Sequence, residues 1–275
     1  MKISIITPNY NYSKYIGQTI QSVIDQDYLD FEHIIVDDGS TDNSVQIIQE
    51  YVNKHPDKIK LIQQENKGQT KALNRALNLA SGEIIGWINS DDYFNKDAFN
   101  KVISVFKKFD TIDAVYGNIG IIDKNGKLVK VNKYLKFSYI SGVFNGFGKT
   151  ISSNAIFWKK KLTDEVGFMN EDFVYSMDSE YWSRLLYKRK LKRIDYLIAY
   201  FRWHPQAKTI IKEDKGSTES IQANKERLFI MKNSYMNLRL SKVIPFKYCY
   251  PIYLFYRLKR NLKRGIKGHY LIFKR

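Results

Sequence analysis

The sequence contains a single cysteine, Cys249, among its 275 residues. One cysteine cannot form an intramolecular disulfide or a cysteine zinc cluster, so both are excluded and a reducing compartment is expected. Long apolar runs are also missing: the longest uncharged stretch near the end, 248–256, is far below the roughly 20 residues of a spanning helix. No secretory signal is visible, because the first apolar run is short and is interrupted by Pro8. We therefore expect a soluble or peripheral protein of the cytoplasm.

Acidic residues are absent from residues 241–275, which carry ten Lys and Arg and eight Tyr and Phe. The chain has 45 Lys and Arg and 28 Asp and Glu in total. Residues 1–100 hold nine of the basic and fourteen of the acidic residues, so residues 101–275 hold 36 basic and 14 acidic residues. The positive charge is therefore concentrated after residue 100. Within the tail, Ile252, Phe255 and Leu258 recur at helical spacing among basic residues. This pattern predicts a basic amphipathic helix that binds an anionic membrane surface.

Two other interpretations of the basic tail stay open at this point. It is also compatible with a packed C-terminal helix that has a solvated charged face, or with a segment that binds nucleic acid. We expect no nucleic acid, because no nucleic-acid-binding motif occurs and the acidic first hundred residues would repel a polyanion.

The first half of the chain alternates short apolar runs with amphipathic runs of helical period. With 44% hydrophobic residues, the chain can bury a sizeable core. Such alternation is typical of βαβ units around a mostly parallel sheet. We predict strands over 3–7, 32–36, 59–62 and 83–88, and helices over 13–26, 44–52 and 70–80, with Thr41 or Asp42 as the cap of the second.

The second half has a weaker pattern, and no linker or clean domain boundary is evident. Asn125-Gly126 between two apolar runs is a strong hairpin signal. Residues 132–149 have no clear period, so a loop with a short helix is expected there. We predict strands over 114–116, 119–122 and 128–131, and helices over 97–109, 178–188 and 217–237.

Two adjacent carboxylates, Asp91 and Asp92, follow the apolar run 84–88 after Asn89 and Ser90. A strand that delivers paired carboxylates to its C-terminal end can build an oxygen-ligand site where open α/β sheets bind ligands. This indicates a divalent cation and a phosphate-bearing substrate. For an isolated pair the alternative is an acidic loop, because Asp is common in turns.

Seven motifs occur together, in a fixed order, between about residues 3 and 210. They are Ser4-Ile5-Ile6-Thr7-Pro8-Asn9-Tyr10-Asn11, Ile34-Ile35-Val36-Asp37-Asp38-Gly39-Ser40-Thr41-Asp42, Asn66-Lys67-Gly68-Gln69, Asn89-Ser90-Asp91-Asp92, Ile151-Ser152-Ser153-Asn154-Ala155-Ile156-Phe157-Trp158-Lys159-Lys160, Met177-Asp178-Ser179-Glu180-Tyr181-Trp182 and Phe201-Arg202-Trp203-His204-Pro205. The set resembles family-2 inverting glycosyltransferases of the GT-A fold, of the bacterial surface-polysaccharide type. One departure is Ser153, where relatives often carry Gln.

The resemblance implies an α/β fold: a Rossmann-like, mostly parallel central sheet flanked by helices, with a helical basic C-terminal extension. It implies a nucleotide-sugar-binding βαβ half over 1–110 and an acceptor and catalytic half over 111–215. The extension would cover 216–275.

For the donor, the resemblance implies that Asp38 accepts a hydrogen bond from the nucleotide base, which fits a uracil or thymine imide. The alternative for Asp37 and Asp38 is capping of the following helix, and the alternative for Tyr10 is a surface aromatic residue. The donor nucleotide residues implied by the resemblance are Thr7, Pro8, Tyr10, Asp38, Asn66, Gly68 and Asp91.

By the same resemblance, Asp91 and Asp92 form a DXD-type motif in which Asp91 favours the sugar or ribose and Asp92 holds Mg²⁺ or Mn²⁺. A divalent ion offsets the charge that builds on the β-phosphate of a departing nucleoside diphosphate without proton transfer. His204 is expected at the metal, or alternatively in a structural role. Arg202 and Lys208 are expected at the phosphates.

Asp178 matches the catalytic base of the family, which deprotonates the acceptor hydroxyl for an in-line displacement with inversion. Its alternative is an N-cap residue. Glu180 would contact the acceptor or lie in a solvated first turn. Trp182 would line the acceptor site or belong to the core.

The implied activity is transfer of one sugar from a UDP-hexose or UDP-N-acetylhexosamine to a glycan or lipid-linked glycan. The Gln-x-x-Arg-Trp element of processive synthases is absent, which favours a single transfer. The expected location is the inner face of the cell membrane. The alternatives are a basic nucleic-acid-binding protein or a non-catalytic sugar-binding protein on a similar fold.

Overall fold

The computed structural model describes residues 1–204, 217–249, 251–256, 258, 262 and 270–272. In the first part of the chain, the alternating pattern produces four strands with helices between them, as predicted. The strands are β1 (Ile3–Asn9), β2 (Phe31–Asp37), β3 (Ile59–Gln63) and β4 (Ile84–Trp87), and the helices are α1 (Ser13–Ile24), α2 (Ser44–Lys54) and α3 (Gln69–Leu79).

These four strands form the parallel part of one sheet. β1 lies between β2 and β4, and β2 pairs with β3, all in parallel. Every residue of β1 and β2 is buried, as is typical of strands covered by helices on both faces. Ile16 and Ile20 of α1 pack with Ile35, Ile48 and Ile59 in a cluster on one face of the sheet.

The second part of the chain extends this sheet with strands of both directions. Its elements are β5 (Tyr93–Phe94), α4 (Ala98–Lys108), β6 (Ala114–Ile122), β7 (Leu128–Asn132), α5 (Tyr139–Asn145), α6 (Phe147–Thr150), β8 (Ile156–Lys159), α7 (Lys160–Val166), α8 (Met177–Leu185), β9 (Leu191–Arg202), α9 (Thr218–Met236) and β10 (Tyr270–Ile272). β8 is antiparallel to both β4 and β6, whereas β6 and β9 are parallel. The sheet order is β10-β7-β6-β8-β4-β1-β2-β3, and β9 pairs with β5 and β6.

The α/β architecture with a Rossmann-like sheet is confirmed, with local differences from the sequence prediction. β6 is one continuous strand rather than two. Gly117 in its middle lets β9 approach, since a Cβ there would lie 2.7 Å from the backbone carbonyl oxygen of Tyr196. The segment predicted as loop with a short helix contains two helices, α5 and α6. Strands β8 and β9 are not evident from the apolar pattern alone. The hairpin between β6 and β7 is confirmed, and Gly126 at its turn has φ 87°.

At the C-terminal side, α9 confirms the helix predicted over 217–237. Two short 3₁₀ helices, Arg239–Lys242 and Phe246–Tyr248, and a helical stretch over 251–256 follow it. β10 then pairs antiparallel with β7. Of the helices in the described ranges, none is both long and apolar enough to cross a membrane. The basic helical extension as a whole stays a prediction.

Candidate active site

Carboxylates gather where the parallel strands end. Asp37 closes β2 and Asp38 follows it, while Asp91 and Asp92 come shortly after β4. All four are buried, with 1% to 8% of their surface exposed. Because ligands of open α/β sheets bind at the carboxyl ends of the strands, this edge is the candidate active site.

Asp91 is paired with His204, which follows the end of β9. The Nε2 atom of His204 lies 3.0 Å from Oδ2 of Asp91. The imidazole also packs against the rings of Tyr12 and Tyr15, with centroids 6.0 and 5.3 Å away. The structure therefore brings together a predicted donor residue and a predicted metal ligand.

Asp92 has different surroundings, although it is the next residue. Its Oδ1 accepts a hydrogen bond from the Arg202 amide at 2.8 Å, and its Oδ2 accepts from Asn154 at 3.2 Å and Asn89 at 3.4 Å. Burial, and next the neighbouring Asp91 carboxylate, raise the pKa of Asp92 well above its usual value. Asp91, rather than Asp92, thus meets the predicted metal-binding histidine.

Arg202 fixes the loop that carries these carboxylates. Beyond its amide, its Nε donates to the Asp91 carbonyl at 3.0 Å and one terminal nitrogen donates to Gln18 at 2.5 Å. The guanidinium carbon lies 4.7 Å from the ring centroid of Tyr15, and the residue is 3% exposed. These contacts engage the guanidinium with the protein, so its predicted phosphate contact gains no support. Lys208 lies outside the described residues.

Tyr12 is a site residue that the sequence analysis does not identify. Burial raises the pKa of its phenol, and the charges of Asp91 and Asp92 raise it further. The hydroxyl therefore stays protonated next to the carboxylates and can donate a hydrogen bond. Its only sequence signal is its position directly after the first motif, residues 4–11.

Asp38 organises the loop between β3 and α3. Its carboxylate accepts hydrogen bonds from the amides of Lys67 and Gly68 at 2.9 and 2.8 Å, and from Gln64 at 2.7 Å. The loop folds back on this carboxylate because Gly68 adopts φ 93°. Asn66, which is exposed, belongs to the same loop. Three predicted donor residues, Asp38, Asn66 and Gly68, are thus in one place.

The capping alternative for Asp37 and Asp38 is wrong. Asp37 instead holds the turn after β2, where it accepts from the Ser40 amide at 2.9 Å and from Asn9 at 2.7 Å. The cap-like contacts belong to Asp42, which accepts from the amides of Ser13 and Ser44 at 2.9 Å each. The N-cap of α2 is Asn43, so the prediction of Thr41 or Asp42 as the cap is wrong, but Asp42 ties the starts of α1 and α2 together.

The predicted pocket residues of β1 have three different environments. The Thr7 hydroxyl is completely buried and lies 2.9 Å from Nε2 of His33, inside the sheet. Pro8 is buried, and its carbonyl accepts from Ser90 at 2.9 Å. Tyr10, at the strand end, is 43% exposed. Of these side chains, Tyr10 is the one that a ligand can reach in this arrangement.

Asp178 lies in the first turn of α8 and is half-buried. It is not the N-cap, which is Ser176; its Oδ1 accepts from the Ser179 amide at 2.6 Å. Its Oδ2 faces α6, where a Cβ on Gly148 would lie 2.8 Å away. The carboxylate is thus held against α6 and remains partly open to solvent.

The start of α8 is also attached to α3. Thr70, in the first turn of α3, donates to the Phe173 carbonyl at 3.0 Å and contacts the Met177 sulfur at 2.8 Å. The helix α3 follows the loop that Asp38 holds. Asp178, the predicted catalytic base, and Asp38, predicted to bind the nucleotide base, therefore lie on connected elements.

The predicted acceptor residues Glu180 and Trp182 are both engaged inside the protein. Glu180 pairs with Arg184 through two hydrogen bonds of 2.6 and 2.9 Å. Trp182 is completely buried, with ring centroids 6.3 Å from Trp87 and 5.2 Å from Trp158. Trp182 thus occupies the core, the alternative given for it above, and Glu180 is neither solvated nor open to an acceptor in this arrangement.

Comparison with known proteins supports these observations. The model of the family described as "Glycosyl transferase family 2" matches residues 4–168. The chain is 31% identical over 205 residues to poly-beta-1,6-N-acetyl-D-glucosamine synthase of Staphylococcus epidermidis, which covers 72% of this chain and 47% of the synthase. This chain spans less than half the length of that synthase and of the other curated relatives that it matches best.

Solved structures of low sequence identity share the fold. TarS of S. aureus (1–349), in complex with UDP-GlcNAc, superposes with a TM-score of 0.61 at 23% identity and covers 86% of this chain and 72% of its own. A mannosyltransferase of Pyrobaculum calidifontis, in complex with GDP-Man and Mn²⁺, gives a TM-score of 0.57 at 16% identity over 97% of this chain and 81% of its own.

Proposed function

The chain belongs to glycosyl transferase family 2, and on that premise we propose that it transfers one sugar from a nucleoside diphosphate sugar to a glycan. The observation that carries this proposal is the pairing of Asp91 with His204, 3.0 Å apart, at the sheet edge that also holds Asp38. The complex of TarS with UDP-GlcNAc and the N-acetylglucosamine polymer of the S. epidermidis relative favour a UDP-hexose or UDP-N-acetylhexosamine donor. A surface polysaccharide is the matching product.

Asp38 would recognise the nucleotide base. A carboxylate offers about four acceptor positions, and hydrogen bonds from Gln64, Lys67 and Gly68 use three of them. One position is left for a single donor such as the imide N–H of uracil. Tyr10 is exposed at the end of β1 and would cover the base or ribose.

Asp91 and His204 would hold Mg²⁺ or Mn²⁺. The described residues contain no cluster of three or more Asp, Glu, His or Cys side chains that could hold a metal ion, so the described part of the chain would supply two ligands. One or two protein ligands completed by substrate phosphates and water are common for Mg²⁺, and a carboxylate also suits Mn²⁺. When bound, the ion offsets the charge that develops on the β-phosphate. This assigns the metal to Asp91, in place of Asp92.

Asp92 and Arg202 would position this site rather than touch the substrate. Asp92 accepts from the Arg202 amide, and Arg202 binds the Asp91 carbonyl. The pair thereby fixes the backbone on both sides of the Asp91 side chain. Replacing either residue should disturb the orientation of Asp91 toward His204.

Asp178 would act as the base that removes the acceptor hydroxyl proton. A neutral hydroxyl is a poor nucleophile, and one carboxylate on the side opposite the leaving group suffices for displacement with inversion. The half-buried carboxylate of Asp178, at the start of α8, supports this role. The donor half, 1–110, and the acceptor half, 111–215, would thus each supply part of the machinery.

The C-terminal region would bind the anionic inner face of the cell membrane. Val243 and Tyr248 are 80% and 61% exposed, and the exposed Lys242 and Lys247 lie beside them. Further along, Leu258 is 60% exposed. Exposed apolar and basic side chains in one region fit an anionic lipid surface. A lipid-linked glycan acceptor would then be reached from the membrane.

The proposal is tested by incubating the full-length protein with UDP-, GDP- and dTDP-sugars and a panel of glycan acceptors. The expected result is acceptor-dependent release of UDP, with the sugar joined to the acceptor in the inverted configuration. Retention of configuration would contradict the assigned mechanism. The absence of transfer from every donor, with Mg²⁺ or Mn²⁺ present, would contradict the function.

A further inference from the structure

We propose that Glu226, on the C-terminal helix α9, is a positioning residue for Asp178. It would act by holding the loop that leads into α8. This inference rests on the proposed function, because it assigns Glu226 a role in the same transfer reaction. It also makes α9, which lies beyond the family match at residues 4–168, part of the active site.

The contact is between one carboxylate and three consecutive backbone amides. Oε1 of Glu226 accepts from the Val174 amide at 3.0 Å, and Oε2 accepts from the amides of Tyr175 and Ser176 at 3.0 and 2.8 Å. Glu226 itself is 5% exposed. The last of these amides belongs to the N-cap of α8, two residues before Asp178.

A carboxylate suits this position for two physical reasons. The Ser176 amide, at the N-cap of α8, is one of the first amides of a helix, which have no partner within the helix, and the helix dipole makes this end positive. Hydrogen bonds from an amide to a charged acceptor are also stronger than neutral ones. Within the described ranges, no Lys or Arg forms an ion pair with Glu226. Its described polar partners are the three amides and Gln222, at 3.3 Å.

The helix α3 holds the same loop at other points. Thr70 donates to the Phe173 carbonyl at 3.0 Å and contacts the Met177 sulfur at 2.8 Å. The Phe173 ring also packs on Phe229 of α9, with centroids 5.8 Å apart. The loop is therefore attached to both α3 and α9, with Glu226 binding its amides and Thr70 one of its carbonyls.

The position of Asp178, the predicted catalytic base, depends on this loop, because the loop leads into α8. The Asp178 carboxylate packs against Gly148 of α6, at a position where a side chain on that residue would not fit, since an added Cβ would lie only 2.8 Å from Oδ2. Misplacing a reacting group by about 1 Å can cost roughly 100-fold in rate. Loss of the Glu226 carboxylate should therefore slow transfer while leaving the Asp38 and Asp91 regions in place.

The test compares Glu226→Gln, Glu226→Asp and Glu219→Gln in the full-length protein. Glu219 lies on the same helix, but its carboxylate is not an acceptor of the three amides. We expect Glu226→Gln to lower kcat at least tenfold with UDP affinity within twofold of wild type. Glu226→Asp keeps the charge and should recover part of the rate, and Glu219→Gln should match wild type. Equal losses of kcat and UDP affinity in Glu226→Gln, or a kcat at the wild-type value, would overturn the proposal.

A double-mutant cycle with Asp178→Asn identifies the route of the effect. If Glu226 acts through Asp178, adding Glu226→Gln to Asp178→Asn should lower the residual rate by less than twofold. A further loss as large as that of the single variant would overturn the proposal, since the two effects would then be independent. Wild-type transfer is measured first: its absence contradicts the proposed function, whereas wild-type-like transfer by Glu226→Gln contradicts this inference alone.

Discussion

His204 lies 3.0 Å from Asp91, Nε2 to Oδ2, although 113 residues separate them in sequence. The approach follows from the pairing of β9 with β5, the short strand directly after the Asp91 loop. Tyr200 is opposite Tyr93 in this pairing, and their rings stack with centroids 4.7 Å apart. The strand pairing thus brings a histidine from the end of β9 next to a carboxylate that follows β4.

His204→Ala should weaken the response of transfer to the metal. Mutating a residue that hydrogen-bonds to a metal ligand typically costs about 10- to 100-fold in metal affinity. Loss of a ligand itself should cost no less, so the Mn²⁺ concentration for half-maximal activity should rise by about 10-fold or more. The measurement is a Mn²⁺ titration of initial rates. His55→Ala, at a half-buried position after α2, is the matched control. An unchanged titration for His204→Ala would remove His204 from the metal site.

Asp178→Asn should abolish the base while preserving the donor site. General base catalysis contributes about 10²- to 10⁴-fold, so kcat for transfer should fall by that factor while UDP affinity stays at the wild-type value. Asp110→Asn, at an exposed position, controls for loss of a negative charge. Near-native transfer by Asp178→Asn at saturating acceptor would show that another group is the base.

His33 should make the fold less stable below neutral pH. Its burial lowers the pKa of the imidazole in the folded state to about 3, whereas the unfolded chain has the ordinary value of about 6.5. The unfolded state therefore binds the extra proton between these values, and stability falls as pH decreases through this window. The expected loss between pH 7 and pH 5 is about 2 kcal/mol from this residue.

This pH effect is measured as the free energy of unfolding in urea at pH 7 and pH 5. His33→Gln should remove the contribution, and His55→Gln should retain it. If wild type and His33→Gln lost the same stability, the pH dependence would have to come from other groups.

Lys242 and Lys247 should contribute to binding of anionic membranes. Each basic residue near such a surface adds roughly 1 kcal/mol, so the double change to Gln should weaken binding to vesicles containing phosphatidylserine by about 30-fold. The exposed pair Lys107 and Lys108 on α4, changed to Gln, is the control. Equal partitioning of wild type onto anionic and neutral vesicles would contradict membrane binding through this region.

The parts of the site that depend on local sequence could be predicted. Strand ends are set by nearby apolar patterns and turn residues, so Asp38 and Asp91 could be assigned to one sheet edge before the structure was known. The Asn125-Gly126 hairpin is likewise local. The succession of β1 to β4 along the chain, with a helix between each of the consecutive strands, also follows from such patterns.

The parts that depend on distant contacts could not be predicted. Nothing near Arg202 in sequence shows that its side chain reaches Gln18, and nothing near Trp182 shows that Trp87 and Trp158 enclose it. Adjacent carboxylates look alike in sequence, but Asp92 accepts three hydrogen bonds from the protein while Asp91 lies beside His204. The apolar pattern therefore predicts where a residue lies on a strand or helix, whereas residue type alone does not predict what its side chain contacts.

The central claim is that Asp91 links the donor nucleotide to a divalent ion at this sheet edge. It is tested most directly by thermal unfolding of wild type, Asp91→Asn and Asp110→Asn with UDP, in the presence and absence of Mn²⁺. A ligand at about 100 times its dissociation constant adds roughly 2.7 kcal/mol to stability. We predict that UDP stabilises wild type and Asp110→Asn only when Mn²⁺ is present, and that Asp91→Asn loses this response. Stabilisation of Asp91→Asn by UDP and Mn²⁺ equal to that of wild type would contradict the account.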